Sequence, residues 1–216
     1  MGSTADQLRD IYRRLDEYFG PLNWWPAEDS FEVMVGAILT QNTNWKNVEK
    51  SIETLKMADL LSFDSLLHMP EEQLAGLIRS SGYFSLKARR LKNLLEMVAE
   101  DYDGDLTLLL SEDTPTAREA LLRVKGIGPE TADSILLYAG EHPTFVVDAY
   151  THRILSRHHM VPESCDYQTI QELFMDNLDH DAAIFNQFHA LLVMTAKRFC
   201  KKPEPLCSEC PLQPLL

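Results

Sequence analysis

The segment from Thr114 to Arg153, TPTAREALLRVKGIGPETADSILLYAGEHPTFVVDAYTHR, constrains the fold more than any other part of the chain. Thr114 and Pro115 read as an N-cap and the first helical position. Ala117, Leu121, Leu122 and Val124 give that helix one apolar side. Lys125-Gly126-Ile127-Gly128 interrupts it, and Pro129 opens a second helix with Ala132, Ile135, Leu136 and Ala139 at helical spacing. Two helices joined by a short turn with two glycines make a helix-hairpin-helix. The glycines permit positive φ and leave the backbone uncovered, so N–H groups in the turn and at the second helix's start can hold a phosphate. A bare GxG turn would be an ordinary helical hairpin. Here it is followed by a loop, by the apolar run Phe145-Val146-Val147, and by Asp148 directly before another helical segment, Ala149 to Arg157. Taken alone, Asp148 reads as an N-cap.

The rest of the chain also has helical periodicity. Leu8, Ile11, Tyr12, Leu15 and Phe19 share one face of a first helix that ends at Gly20. After the loop PLNWWPAED, Asp29 and Glu32 could form a capping box for a helix carrying Phe31, Met34, Val35, Ile38 and Leu39. The polar stretch from Thr40 to Asn44 stops it, and another helix starts near Trp45. Helices are expected over 45–57, 59–67, 70–80, 84–102, 149–159, 166–178 and 181–199, with turns at Gly82 and 103–106. No two-residue alternation stands out, so the fold class is all-α.

The ordered combination of hairpin, loop, VVD and helix resembles the helix-hairpin-helix DNA glycosylases of the endonuclease III superfamily. FEVMVGAILTQNTNW, SGYFSLKARRL and HALLVMTAKRFCKKPEPLCSECP extend the resemblance over nearly the whole chain. It implies two helical domains. Residues 29–143 would form a six-helix barrel containing the hairpin. The N-terminal helix and loop, 1–28, would pack with a C-terminal helical domain, 144–216. It also implies double-stranded DNA with a damaged base as partner. Asp148 would be catalytic, Lys125, Gly126, Ile127 and Gly128 would contact phosphate, and Gln41 and Tyr83 would fill the gap left by a flipped nucleotide. Read without the resemblance, Gln41 is a solvated turn residue and Tyr83 a packing residue.

Family members that also cut the strand carry a Lys in the hairpin's second helix, and here the matching position is Glu130. Lys125 lies on the other side of the turn. A monofunctional glycosylase is therefore expected, with no amine to form a Schiff base. The WWP element and the LTQNT-aromatic stretch resemble the bacterial 3-methyladenine glycosylases of this superfamily, which implies a base pocket lined by Trp24, Trp25, Pro26 and Trp45. Indole faces attract a cationic base such as 3-methyladenine by about 0.5–2 kcal/mol. Without the resemblance the three tryptophans are core residues, and for Trp25 that reading is at least as good.

The net charge of −13 over 216 residues argues against a protein that grips DNA over its whole surface, unless positive charge is gathered locally. Lys87, Arg89, Arg90 and Lys92 form one such cluster, Arg153 and Arg157 a second, and Lys197, Arg198, Lys201 and Lys202 a third. Cys200, Cys207 and Cys210 crowd the C-terminus as C-x6-C-x2-C, while Cys165 reads as a loop thiol. In the family this pattern continues x5-C and holds a [4Fe–4S] cluster, but position 216 is Leu216. A cluster with three Cys ligands and a degenerate site that has lost it are both open. The absence of a long apolar run and the start MGSTADQLRD fit a cytoplasmic enzyme with no membrane association, expected to be a monomer apart from its DNA. Two alternatives remain: an endonuclease III-type oxidised-pyrimidine glycosylase/lyase, and a non-catalytic helix-hairpin-helix DNA-binding protein.

Overall fold

The computed structural model describes residues 2–22 and 24–215. The described residues are helical, with no strand among them, as the periodicity predicts. In chain order the helices are α1 (Thr4–Phe19), α2 (Ser30–Leu39), α3 (Trp45–Met57), α4 (Phe63–His68), α5 (Glu71–Leu77) and α6 (Phe84–Asp101). They continue with α7 (Leu106–Ser111), α8 (Thr114–Arg123), α9 (Pro129–Gly140), α10 (Ala149–Arg157), α11 (Tyr167–Met175) and α12 (Ala182–Arg198). Two compact units result. Ala27–His142 forms one, and the chain up to Pro26 with the chain from Pro143 onward forms the other.

In the Ala27–His142 unit, α2 is the buried centre. Val33, Met34, Val35, Ala37, Ile38 and Leu39 are all within the core, so this helix has no solvent face of any width. Asp29 caps it by accepting the Glu32 N–H at 2.8 Å. The expected capping box is only half made. The Glu32 carboxylate accepts the Glu28 N–H and pairs with Lys56 at 2.8 Å instead of returning to Asp29. A buried carboxylate needs a cation more than it needs the box.

The hairpin helices α8 and α9 are braced by a bidentate ion pair, Arg118 Nε to Asp133 Oδ1 at 2.7 Å and Nη2 to Oδ2 at 3.1 Å, with Asp133 wholly buried. The cap of α8 is Asp113, one residue before the expected Thr114. Asp113 accepts both the N–H and the hydroxyl of Thr116. Thr114 instead meets the His142 ring at 3.0 Å. Helix α7 was not expected, and the segment expected to be helical over 59–67 is a turn up to Ser62, which caps α4. Asp59 takes positive φ there, and helix cannot pass through it.

The other unit is built on an aromatic core. Phe145 stacks on Phe174 with ring centroids 3.6 Å apart, while Phe185 and Phe188 meet Phe145 edge-on. Tyr12 of α1 packs edge-on against Phe188 of α12. The extended run Phe145-Val146-Val147 is buried without a strand partner. Side chains meet part of what its buried backbone needs: Gln171 Nε2 donates to the Phe145 carbonyl at 2.8 Å, and the Tyr167 hydroxyl accepts the Val147 N–H at 3.5 Å.

One buried cation organises the first unit. Lys87 of α6 is almost wholly enclosed, and its Nζ donates to the carbonyls of Leu39 at 2.8 Å and Ser81 at 2.6 Å. It thereby ties the end of α2 to the loop before Tyr83. Burial, helped by nearby Arg90, pushes its ammonium down to about 8. Between that value and the ordinary lysine pKa, the unfolded chain binds a proton that the folded chain does not. Stability from this group therefore rises with pH in that window. Denaturant unfolding at pH 7.5 and 9.5 is expected to show wild type gaining on Lys87→Met as pH rises, by up to about 2 kcal/mol.

Candidate functional site

The hairpin turn is shaped by its two glycines in different ways. Gly126 has φ of 104°, and a Cβ there would lie 2.4 Å from Arg90 Cγ, so the Arg90 stem occupies a notch that only glycine leaves. Gly128 is extended, with φ of −103° and ψ of 178°, and a Cβ there would meet nothing within 4 Å. The expectation that both glycines supply positive φ thus holds only for Gly126. What Gly128 provides is an uncovered approach to the start of α9, which has no side-chain cap. Lys125 and Gly128 are exposed and Ile127 is buried beneath them. The first turn of α9 carries Glu130, exposed, as its only charged side chain.

Gln41, just past α2, lies against this turn. Its Nε2 donates to the Gly126 carbonyl at 3.2 Å and to Thr131 Oγ1 at 2.9 Å, while its Oε1 accepts from Arg90 Nη1 at 2.5 Å. Both ends of the amide are engaged, so the side chain is oriented and not free. Tyr83 stands differently. It is 70% exposed and left-handed, with φ of 47°, directly after Gly82 at φ of 68°. A non-glycine residue holding that conformation is strained, which often accompanies a functional loop.

Much of the basic clusters read from the sequence is engaged by the protein's own groups. Lys87 is buried, Lys92 donates to the carbonyls of Leu66, Leu67 and Met69 at the end of α4, and Arg89 pairs with Glu71. Arg153 donates to the Cys200 carbonyl, and Arg157 to the carbonyls of Lys201 and Lys202. Lys197 lies over Trp24, and Arg198 over Tyr18 and Phe199.

In the other unit Asp148 caps α10. Its Oδ1 accepts the N–H groups of Tyr150 at 3.0 Å and Thr151 at 2.7 Å. Its Oδ2 faces His189 Nε2 at 3.7 Å. Burial alone would push this carboxyl up. His189 and the Thr151 groups outweigh burial and hold it below the usual carboxylate range. Asp148 is therefore an anion at neutral pH. His189, on α12, also meets the Trp24 indole edge-on, with ring centroids 6.2 Å apart. Gln187, two residues earlier, anchors the loop leading to Trp24 by accepting the Leu22 N–H and donating to Asp16 and the Gly20 carbonyl. Trp25 is half-buried and Pro26 exposed in the same loop. Trp45, half-buried, opens α3 in the Ala27–His142 unit.

Sequence reasoning missed His189, Arg90 and Thr131. A single His on an apolar helix face carries no signal until its buried partner is known. Arg90 was visible only as one of a run of cations.

Cys200, Cys207 and Cys210 line one small cavity of about 30 Å³ together with Arg157 and His158. Arg157 donates to Cys200 Sγ at 3.3 Å, and burial pushes the Cys210 thiol up. The three cysteines are thus near one another. Among the described residues, however, no group of three or more His, Cys, Asp or Glu side chains is arranged to hold a metal. Leu216, at the fourth position, lies outside the described residues. Cys165 sits in a turn, its N–H donating to the Pro162 carbonyl. No described helix is long and apolar enough to cross a membrane.

Residues 35–180 match the family described as HhH-GPD superfamily base excision DNA repair protein. MJ1434 of Methanocaldococcus jannaschii, named provisionally as a DNA repair glycosylase, is 47% identical over 96% of this chain and 94% of its own. Endonuclease III of Thermotoga maritima is 29% identical over 84% of this chain and 80% of its own. The structure of the H. pylori 3-methyladenine DNA glycosylase MagIII bound to 1,N6-ethenoadenine superimposes with a TM-score of 0.77 at 28% identity, covering 91% of this chain and 98% of that one. The match spans the hairpin, Gln41 and Asp148 alike, and the chain belongs to the HhH-GPD superfamily of base excision DNA repair proteins as one of its DNA glycosylases.

Proposed function

We propose that this glycosylase is monofunctional, removes alkylated purines such as 3-methyladenine, and uses Asp148 as its catalytic anion. The observation that carries the reading is the geometry of Asp148: one oxygen is taken by the α10 N–H groups and the other is turned away from the helix, in a site that keeps the group ionised. A duplex base must first be flipped out to be reached. As the bond from C1′ to the base breaks, its electron pair leaves with the base, and positive charge grows on the sugar. A fixed carboxylate stabilises that charge. Water then adds to C1′ and gives its proton to Asp148 Oδ2. A cationic alkylated base leaves readily, so no separate acid is required.

The hairpin at Lys125–Gly128 would hold a backbone phosphate, and Gln41 and Tyr83 would support the distorted strand. For Gln41, this means exchanging its bonds to Gly126, Thr131 and Arg90 for DNA. Glu130, in the first turn of α9, supplies no amine, which supports hydrolysis without strand cleavage. The alkylpurine assignment draws on the aromatic residues Trp24 and Trp45, with Trp25 and Pro26 beside Trp24, and on the similarity to MagIII. Trp24 already carries the Lys197 ammonium 5.3 Å from its ring centroid, in keeping with a face that attracts cations. A [4Fe–4S] cluster on Cys200, Cys207 and Cys210 is a separate, structural proposal. It rests on their shared cavity and needs a ligand beyond the described residues, and no step of the reaction passes through it. We further take the working form to be a cytoplasmic monomer on double-stranded DNA.

Asp148→Asn is expected to reduce base release by at least about 100-fold with DNA binding retained; single-turnover release near the wild-type rate would remove Asp148 from the mechanism. Wild type should free 3-methyladenine from methylated DNA, leave thymine-glycol DNA intact, and form no borohydride-trapped adduct on either substrate. A trapped adduct, or release of only the oxidised pyrimidine, would instead favour the endonuclease III-type reading suggested by the T. maritima relative. Anaerobically purified protein should contain iron and sulfide in stoichiometric amounts if the cluster forms, and protein without iron would exclude it.

A further inference from the structure

The two oxygens of Asp148 have different surroundings. Oδ1 is saturated by two N–H groups of α10, whereas Oδ2 faces His189 Nε2 at 3.7 Å. That separation suits an ion pair but exceeds a hydrogen bond. Both side chains are nearly closed to solvent, at 7% exposure for His189 and 13% for Asp148. A carboxylate so enclosed and lacking a cation would tend to take up a proton. The His189 ring is fixed in turn by α12 and by the edge-on Trp24 indole.

We propose that His189 is a positioning residue for Asp148, whose ring Nε2, 3.7 Å from Oδ2, favours the ionised carboxylate while leaving that oxygen able to accept the attacking water's proton. At 3.7 Å the ring acts on Oδ2 through space and leaves its lone pairs open to the attacking water. Because Trp24 touches the same ring, one side chain supports both the catalytic anion and an aromatic residue of the proposed base pocket. This inference rests on Asp148 being the catalytic anion.

Charged and titratable groups on the neighbouring elements have contacts of their own. From α10 come the Tyr150 and Thr151 N–H groups and the Thr151 side chain, while Arg153 lies over the Tyr150 ring and donates to the Cys200 carbonyl. From α12, Lys197 is held over Trp24. From α1, Asp16 accepts from Gln187. From α11, the Tyr167 hydroxyl accepts the Val147 N–H at 3.5 Å.

The test is the pH dependence of single-turnover base release from methylated DNA by wild type, His189→Phe and His189→Gln. Phe keeps a ring against Trp24 and removes the charge, and Gln keeps a donor without the charge. Both variants are expected to lose roughly tenfold or more in rate at neutral pH, with unchanged affinity for abasic-site DNA. Both should also move the acid limb of the profile upward by about one pH unit or more, because Asp148 has lost its cation. A purely structural histidine would lower the melting temperature and leave the acid limb where it is, and that outcome overturns the proposal. If Phe does not fold, the Gln profile alone decides. Asp148→Asn run alongside separates the two levels: an active Asn variant defeats the underlying mechanism, whereas an inactive one beside unshifted His189 profiles defeats only this inference.

Discussion

A guanidinium lying in a notch left by a missing side chain sets the arrangement of the Ala27–His142 unit. Arg90 reaches across Gly126 to the Gln41 amide, and that amide bonds back to the Gly126 carbonyl and to Thr131. One helix, α6, thus fixes both the turn after α2 and the turn before α9. Lys87, one turn earlier on α6, adds the loop before Tyr83 to the same junction through the Leu39 and Ser81 carbonyls. Three backbone turns distant in sequence are set by two inward-pointing cations. Moving any one of them means opening hydrogen bonds in low dielectric, where they are strong and expensive to leave unmade.

In the other unit a comparable problem is solved for an anion. An ionised carboxylate can be kept away from water only if donors replace the water it has lost. Asp148 obtains them from the start of α10, with the His189 ring 3.7 Å from its other oxygen. The buried Phe145-Val146-Val147 run fixes where that helix begins, and Gln171 secures the run. The apolar residues before Asp148 are thus as much a part of its placement as the helix after it.

The fold class and the hairpin were legible because both depend on local order: periodic apolar residues, glycines in a turn, and proline at a helix start. Asp148 was legible for the same reason, since its cap geometry is written in adjacent residues. His189 was not, because its partner lies far along the chain and nothing around it departs from an ordinary apolar helix. The basic clusters misled in a related way. Residues a few positions apart on a helix point to different sides, so Lys87 faces the core while Arg89 faces outward to Glu71. Helix α7 and the Asp113 cap were lost to turn signals that were correct in kind and misplaced by a few residues.

The inward use of cations bears on how the enzyme meets its substrate. Lys87, Lys92, Arg118, Arg153 and Arg157 all serve carbonyls or a carboxylate of the protein itself. With a net charge of −13, these cations are not available to displace the ions condensed on a duplex. On the proposed reading, the uncapped start of α9 would hold a phosphate chiefly through neutral N–H groups, with exposed Lys125 beside it. Its attraction is short-ranged and acts only when the strand is already close. Encounter with DNA would then gain less from long-range steering and from counterion release than a basic surface gives. Recognition would depend instead on close fit at the hairpin, with a shallower dependence of affinity on salt than a basic surface would give.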